Sequence, residues 1–505
     1  MPGKVPLGAL AGVVGFLVVV EFTSGILQGY YVPLLTDIAR FLDIRDGDVN
    51  FFEGAQLMVS ALVVPFLAKL GDMVGHKRML LVSTAITAIA SIALAFSPVF
   101  WVFLVAWALQ GFYVVWLPLE VALVFSRSRD GVNPAALTRK AAGFLVAGLE
   151  AGVIAGALSG GAIADALFPT PDQREGLSAP QLQAALGEHM WLLLLIPAVC
   201  VVGCFFVILF GVKESPDTTG GTLDYTGLAL VSAALLVLTA GLTFFRVPEL
   251  PLVVPIVAVL LGALLFVPFV RYELRQDDPL IDIRMFRQKA MWPILVTAGL
   301  FGVSVLGAQA PLSTFARTSH EATGFGLSAT GGTVSILVGL YVISLLVGAL
   351  LYPQVTRRIE PRRVLMGAAI LIAVGYALFL PFHDTLPQLL VNISVAGLGS
   401  GALVAALPSA AAAVAPRTQT GVATGLTNTT KTIGGAFASC VFGLALLGRV
   451  TATGGEETAG SLAGYFTVWI VCSVTGLVAA GLLAVVPKGA FEDARVSEPV
   501  VGELR

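Results

Sequence analysis

The chain has 505 residues, of which 57% are hydrophobic and only 12% are charged, and its formal net charge is −2. Soluble globular proteins carry about 25% charged residues, so this composition excludes a water-soluble protein and indicates an integral membrane protein. The small net charge provides no basic field, which argues against a nucleic-acid partner. Four cysteines within apolar runs and four histidines favour neither a disulfide framework nor a metal site.

Fourteen apolar runs are long enough to cross a membrane, since a membrane helix needs about 20 apolar residues. They predict an all-α integral membrane protein with fourteen transmembrane helices. In chain order the runs are 8–35, 51–70, 79–97, 99–125, 141–166, 190–212, 226–245, 253–272, 291–316, 327–352, 363–382, 386–410, 421–447 and 464–487.

The basic residues test this map, because Lys and Arg are enriched in cytoplasmic loops. With the N-terminus inside, the inner segments hold 22 of the 29 Lys and Arg residues and the outer segments hold 6. One lysine, Lys431, lies within a run. A missed helix would exchange the sides of all later loops, so the bias supports fourteen helices with both termini cytoplasmic.

The loop after the second run contains Gly71, Asp72, Gly75, Lys77 and Arg78. Glycine permits a tight turn there, and an acid next to a basic cluster can pair across helix ends. The spacing G-D-x-x-G-x-K-R resembles the signature loop of the major facilitator superfamily. The resemblance implies that these five residues belong to a cytoplasmic gate.

A weaker copy of this pattern, in residues 348–363, follows the tenth run. Two copies at equivalent positions indicate two six-helix halves, and the resemblance implies a 6+2+6 arrangement with two pseudo-symmetric bundles. We therefore predict an N-terminal six-helix bundle in residues 1–212 and an inserted helix pair with its flanking segments in 213–290. A C-terminal six-helix bundle is predicted in 291–487 and a cytoplasmic tail in 488–505.

Three further segments resemble the fourteen-helix drug:proton antiporter branch of this superfamily, namely residues 213–227, 273–289 and 416–429. The matches occur in the same order as in that branch and extend over most of the chain. The resemblance implies a transporter, not an enzyme, that acts as a monomer without a cofactor. Its partners would be the lipid bilayer, a small-molecule or lipid substrate, and protons.

Charged residues deep in the runs are the candidates for proton coupling, because a charge near the bilayer centre is costly and usually faces a cavity or a partner. Glu150 and Lys431 both lie about 14–15 Å from the cytoplasmic surface at about 1.5 Å per residue. Because their depths match, we predict that they pair across the cavity and that protonation of Glu150 breaks the pair. The alternative is a static ion pair, or helix offsets that keep them apart. Glu21 is the third candidate, as a proton site or a contact for a cationic group.

Polar and aromatic residues of the runs are candidates for the substrate cavity. A polar stretch follows Glu21 in the first run, and further polar residues lie in the fourth, ninth and thirteenth. The alternative is that Glu21 bonds to a neighbouring helix and that the aromatic residues face lipid or the protein core. The predicted cavity residues are Glu21, Gln28, Tyr31, Gln110, Tyr113, Gln309 and Asn428.

Two other features allow more than one interpretation. Glu120, near the inner end of the fourth run, either forms a cytoplasmic gate pair with Arg127 or is an interfacial acid. A stripe of small residues in the fifth run places one glycine per helical turn on one face, which favours close helix packing or a surface across which the halves slide. This stripe consists of Gly148, Gly152, Gly156 and Gly160.

The predicted function is export of hydrophobic or cationic small molecules by proton antiport with alternating access, in the plasma membrane. The resembled branch has an arginine and a proline where this chain has Trp107 and Ala157. That difference leaves a second hypothesis, a lipid or glycolipid exporter of the same fold. A non-transporting scaffold or sensor is the third, and it is disfavoured because a scaffold does not need costly charges in the membrane.

Overall fold

The computed structural model describes residues 7–128, 134–174, 177–214, 223–276, 279–415, 420–447 and 459–487. This part of the chain is helical without any β-strand, and it contains fourteen segments long and apolar enough to cross a membrane. The predicted all-α architecture with fourteen transmembrane helices is therefore confirmed. The predicted tail, 488–505, lies outside the described residues. We number the crossings α1 to α14, and a crossing interrupted by a turn keeps one number.

The first six crossings form the N-terminal half. Their bounds are α1, Leu7–Tyr30, extended by Val32–Leu34 and Leu35–Phe41; α2, Val49–Val74; α3, His76–Ala95; α4, Phe100–Gln110 and Trp116–Ser128, joined by the 3₁₀ turn Gly111–Val115; α5, Pro134–Leu167; and α6, Ala179–Gly211.

The other eight crossings form the inserted pair, α7 and α8, and the C-terminal half, α9 to α14. Their bounds are α7, Tyr225–Phe244; α8, Val253–Glu273; α9, Met291–Val305 and Gln309–Arg317; α10, Gly331–Val355; α11, Pro361–Leu378; α12, Leu386–Val414; α13, Thr420–Leu446; and α14, Leu462–Val485. Short helices at Asp46–Asp48, Pro171–Arg174, Ile283–Arg287 and His320–Thr323 lie between crossings.

Each half has its own hydrophobic core. The N-terminal core is built from α1 to α6 and includes the fully buried Trp107 and Trp116. The C-terminal core is built from α9 to α14 and includes Phe315 and Trp469. The connections after odd-numbered crossings share one face, which we call the distal face. The connections after even-numbered crossings share the other, the terminal face, where α1 begins and α14 ends.

The inserted pair packs on the seam between the two halves. Leu242 of α7 contacts Phe51 of α2 and Cys440 of α13, so α7 touches both halves. Arg246, just after α7, binds Asp48 before α2 through two hydrogen bonds of 3.0 and 3.1 Å. Most of α8 is exposed and its residues are apolar, which is the pattern of a helix that faces lipid.

The glycine stripe of α5 joins two helices of the same half. A Cβ added at Gly152, Gly156 or Gly160 would overlap α1, and one at Gly148 would make an unusually tight contact with it, so the two helices pack closely together. The neighbours of Gly148, Gly152, Gly156 and Gly160 are, in that order, Val18, Phe22, Ile26 and Tyr30. The stripe is therefore a packing surface within the N-terminal half, and the alternative of a sliding surface between the halves does not describe its position.

This close contact predicts an asymmetric response to substitution along α5. Gly152→Leu should destabilise the protein by at least about 2 kcal/mol, because the added side chain meets the backbone of Phe22. Gly143→Leu is the matched control, since nothing lies within 4 Å of a Cβ at that glycine on the same helix. Thermal unfolding of the detergent-purified variants measures both effects. Equal unfolding temperatures for the two variants would contradict the packing described.

Candidate functional site

The two halves touch near the distal face. Gly54 of α2 packs against Cys440 of α13, and Gly161 of α5 packs against Ser335 of α10. The Ser335 hydroxyl also donates a hydrogen bond of 2.6 Å to the Ala157 carbonyl of α5. Among the described residues, the extensive contacts between the two halves follow these two helix pairs and the short distal segments. The space between the halves is therefore closed at the distal face.

Asp37 links the two halves through charge. Its fully buried carboxylate accepts hydrogen bonds of 2.7 Å from Arg174 of the same half and from Arg317 at the end of α9. Charge-assisted hydrogen bonds of this kind are among the strongest in proteins, and they remain effective where water is excluded. We call Asp37, Arg174 and Arg317 the distal charge cluster.

A second acid connects the halves at the same level. Both oxygens of the Asp165 carboxylate, at the end of α5, accept 2.8 Å hydrogen bonds from the backbone N–H groups of Gly331 and Gly332. Those groups begin α10, and the start of a helix carries unpaired N–H donors and a partial positive charge. Asp165 therefore caps a helix of the opposite half.

No pattern in the sequence singled out these residues of the distal closure, which are Asp37, Arg174, Arg317 and Asp165. The arginines of the outer loops are only a small minority of the basic residues. The available signal was that acids and arginines occur together at the ends of the same short loops. Such groups tend to pair when loops pack, but the sequence does not show which partners meet across the two halves.

Glu150 and Lys431 lie on the terminal side of these contacts, and both side chains are half-buried. Glu150 precedes Val153 and Ile154, which pack against the C-terminal half. The Glu150 carboxylate and the Lys431 ammonium attract each other electrostatically, but they form no ion pair within 4.0 Å. They face the same space from opposite halves, and their direct pairing stays a prediction for another conformation.

Lys431 lines a small apolar pocket of the C-terminal half. The pocket is walled by Phe301, Leu403, Leu407 and Pro408 together with other residues, and Asn428 lies one helical turn before Lys431 on its edge. The pocket is much smaller than the sites that proteins use for drug-sized ligands.

Glu21 and Glu120 lie elsewhere, inside the N-terminal half. Their side chains are 1% and 0% exposed, and the two carboxyl groups are within hydrogen-bonding distance of each other. No other described residue donates a hydrogen bond to any of the four carboxyl oxygens. The structure thus differs from the sequence prediction in two ways. Glu21 does not line an open cavity, and Glu120 does not form a gate pair with Arg127, because both acids point into the bundle.

Three more predicted cavity residues belong to the N-terminal core. The Gln110 amide donates hydrogen bonds of 3.0 Å to the Tyr31 hydroxyl and of 2.8 Å to the Ser91 hydroxyl. Tyr31, Gln110 and Tyr113 are all buried, and the Tyr31 ring packs against Trp107. In this conformation they hold α1, α3 and α4 together and are not open to a substrate.

The remaining predicted cavity residues are more accessible. Gln28 of α1 is exposed, and Gln309 and Asn428 are half-buried. The Gln309 amide donates a hydrogen bond of 3.0 Å to the Val305 carbonyl at the break in α9. The predicted cavity residues therefore divide into a buried set in the N-terminal half and an accessible set that includes Asn428 beside Lys431.

The signature loop connects α2 and α3 at the terminal face. Gly71 packs against Leu119 of α4 and Gly75 has φ +119, a value that other residues rarely adopt. The Glu214 carboxylate, just after α6, accepts hydrogen bonds of 2.9 and 3.1 Å from the backbone N–H groups of Lys77 and Arg78. Glu214 thus caps the first turn of α3.

The charges of this loop are arranged differently from the sequence prediction. Asp72 lies 3.0 Å from the His76 ring, whereas Lys77 and Arg78 interact through their backbone with Glu214. Arg127, at the end of α4, is half-buried. Together these residues lie at the terminal face, where the prediction places the gate.

The model of the Major Facilitator Superfamily matches residues 17–439 and, in a second match, residues 294–498. The drug efflux pump JefA of Mycobacterium tuberculosis is 25% identical over 399 residues, which cover 78% of this chain and 70% of the relative. The quinolone resistance protein NorB of Staphylococcus aureus is 27% identical over 297 residues, covering 56% of this chain and 60% of the relative.

Solved structures with the same fold include a variant of the nucleoside transporter NupG. It superposes with a TM-score of 0.64 at 15% identity and covers 94% of this chain and 100% of its own. At this identity the likeness concerns the fold alone.

The distal charge cluster predicts a shift between conformations. Arg317→Gln removes one partner of a buried ion pair, which costs about 3–5 kcal/mol in the closed arrangement. We expect the distal face to open in a larger share of molecules. Spin labels at Glu188→Cys and Glu321→Cys, in a background without the native cysteines, report the distance between the halves by double electron–electron resonance.

Arg40→Gln is the control, since Arg40 pairs with Asp46 of its own half at 3.6 Å. It should leave the distance distribution unchanged. If Arg317→Gln also leaves it unchanged, the distal charge cluster does not hold the closed conformation.

Proposed function

Since this chain belongs to the Major Facilitator Superfamily, whose members are membrane transporters, we propose that it exports hydrophobic or cationic small molecules in exchange for protons. The observation that carries this proposal is the placement of Glu150 and Lys431. These two half-buried groups of opposite charge lie on opposite halves and attract each other, on the side away from the distal closure. These two charges are sufficient to make the relative position of the halves depend on whether Glu150 has bound a proton.

The coupling follows from Coulomb attraction, which is strong where water is partly excluded. An ionised Glu150 attracts Lys431 and favours a conformation in which the terminal side is closed. Binding of a proton to Glu150 removes this attraction and favours a conformation that is open at the terminal face. A proton that enters from the distal side can therefore drive the return of the transporter.

The substrate class rests on the relatives. The pocket next to Lys431 is too small in this conformation to hold a drug-sized molecule. JefA is described as a drug efflux pump and NorB as a quinolone resistance protein. We propose the same general activity for this chain, namely drug or metabolite efflux.

The orientation rests on the basic residues. Their excess at the terminal face supports a cytoplasmic location for that face and for both termini, in the plasma membrane. With this orientation, the closed distal face lies on the outer side of the membrane.

The test is efflux of ethidium, a fluorescent lipophilic cation, from cells that express the wild type or Glu150→Gln. We expect rapid efflux by the wild type that stops when a protonophore is added. Glu150→Gln should reduce efflux to about the level of protonophore-treated cells, because glutamine can neither bind and release a proton nor carry the charge that attracts Lys431. Lys431→Gln should act similarly, whereas Lys431→Arg keeps the charge and should retain part of the activity.

Glu188→Gln is the matched control, since Glu188 is an exposed acid at the distal end of α6. It should behave like the wild type at equal expression. Efflux that continues in the presence of protonophore would contradict proton antiport. Absence of ethidium efflux by a well-expressed wild type would contradict the proposed substrate class and favour the lipid or glycolipid exporter, for which co-purifying lipid is the next measurement.

A further inference from the structure

We propose that Glu21 and Glu120 form one shared proton-binding site inside the N-terminal half, and that its occupancy controls the packing of α1 against α4. The coupling role of this site deepens the proposed function and rests on it. The starting observation is geometric. Glu21 and Glu120 are fully buried on two helices that pack against each other, their carboxyl groups interact, and no other described residue donates a hydrogen bond to them.

The contact requires a proton. Two carboxylates carry only acceptor atoms, so neither can donate to the other, and their negative charges repel. With one proton present, the O–H of one carboxyl donates to an oxygen of the other and the contact becomes favourable. Acid pairs that share a proton in this way are well known in enzymes. The structure therefore assigns at least one proton to this pair in the distally closed conformation.

The surroundings supply no other compensation. Tyr113 of α4 and Cys204 of α6 are the neighbouring titratable groups on those helices, and neither is a base. From α5, the glycine stripe faces α1 at this level, with Gly152 against Phe22. Among the described residues, no lysine, arginine or histidine forms an ion pair with either acid. A proton is thus the remaining cation that can neutralise the pair.

The position of the pair suggests what its proton controls. Glu21 lies on α1, and the same crossing continues past a break at Val32–Leu34 to Asp37 of the distal charge cluster. Glu120 lies on α4 just after the 3₁₀ turn Gly111–Val115. Loss of the proton places two negative charges in contact and pushes α1 away from α4. Because α1 also carries Asp37, this movement acts on the distal closure.

This site differs from Glu150 in its location and in its partner. Glu150 faces a base across the space between the halves, whereas Glu21 faces an acid within one half. A bound proton therefore has opposite effects on packing at the two sites. Protonation of Glu150 removes an attraction between the halves, and protonation at Glu21 and Glu120 removes a repulsion within one half.

The experiment is infrared difference spectroscopy of the purified wild type and of three variants, Glu21→Gln, Glu120→Gln and the double variant, across a pH range around neutrality. Glutamine has the shape of a protonated glutamate, so the variants should fold. We expect the wild type to show the carbonyl stretch of a protonated carboxylic acid. Each single variant should shift that band, because its hydrogen-bond partner changes, and the double variant should lose it.

Glu188→Gln is again the control and should keep the wild-type band. A double variant whose spectrum equals that of the wild type would overturn the proposal, and so would single variants whose bands are not shifted. Ethidium efflux measured in parallel separates the two proposals. If the shared-proton band is present but efflux ignores a protonophore, the proton site stands and proton antiport fails. If efflux depends on the proton gradient but the band is absent, the proton site fails.

Discussion

A charged group that is buried away from water is costly unless it is paired, and this constraint determines how the acids and bases inside the molecule are arranged. The structure uses three solutions. At the distal face, Asp37 is surrounded by arginine, and Asp165 binds the start of a helix. Between the halves, Glu150 faces Lys431 at a distance. Within the N-terminal half, Glu21 meets another acid, Glu120. The first solution is permanent as long as the halves stay together, whereas we propose that the other two depend on a proton.

The packing of the helices determines what these charges can move. The glycine stripe joins α5 to α1 so closely that the two helices are expected to shift together. The same α5 contacts α10 of the other half and carries both Asp165 and Glu150. Asp37 lies in the last segment of α1, Leu35–Phe41. Glu21 on α1 and Glu150 on α5 therefore lie on helices that also take part in the distal closure.

The sequence was sufficient for the architecture, because hydrophobic length and the side preference of basic residues are properties of single segments. It was insufficient for side-chain partners, because these depend on how each helix is rotated. Glu120 is close to Arg127 in the sequence, yet its side chain lies inside the bundle beside Glu21. The spacing of the glycines indicated a close contact but not whether α1 or the opposite half provides it. Asp37 and Arg317, 280 positions apart, meet only in the folded molecule.

The inserted pair, α7 and α8, makes the two seams between the halves different. The contact of α2 with α13 is overlaid by α7 and α8, while no additional helix among the described residues covers the contact of α5 with α10. The two seams between the halves are therefore unequally exposed to the surrounding lipid, because one of them is shielded by two further helices. The pseudo-symmetry of the two six-helix halves is thus broken on one side of the molecule.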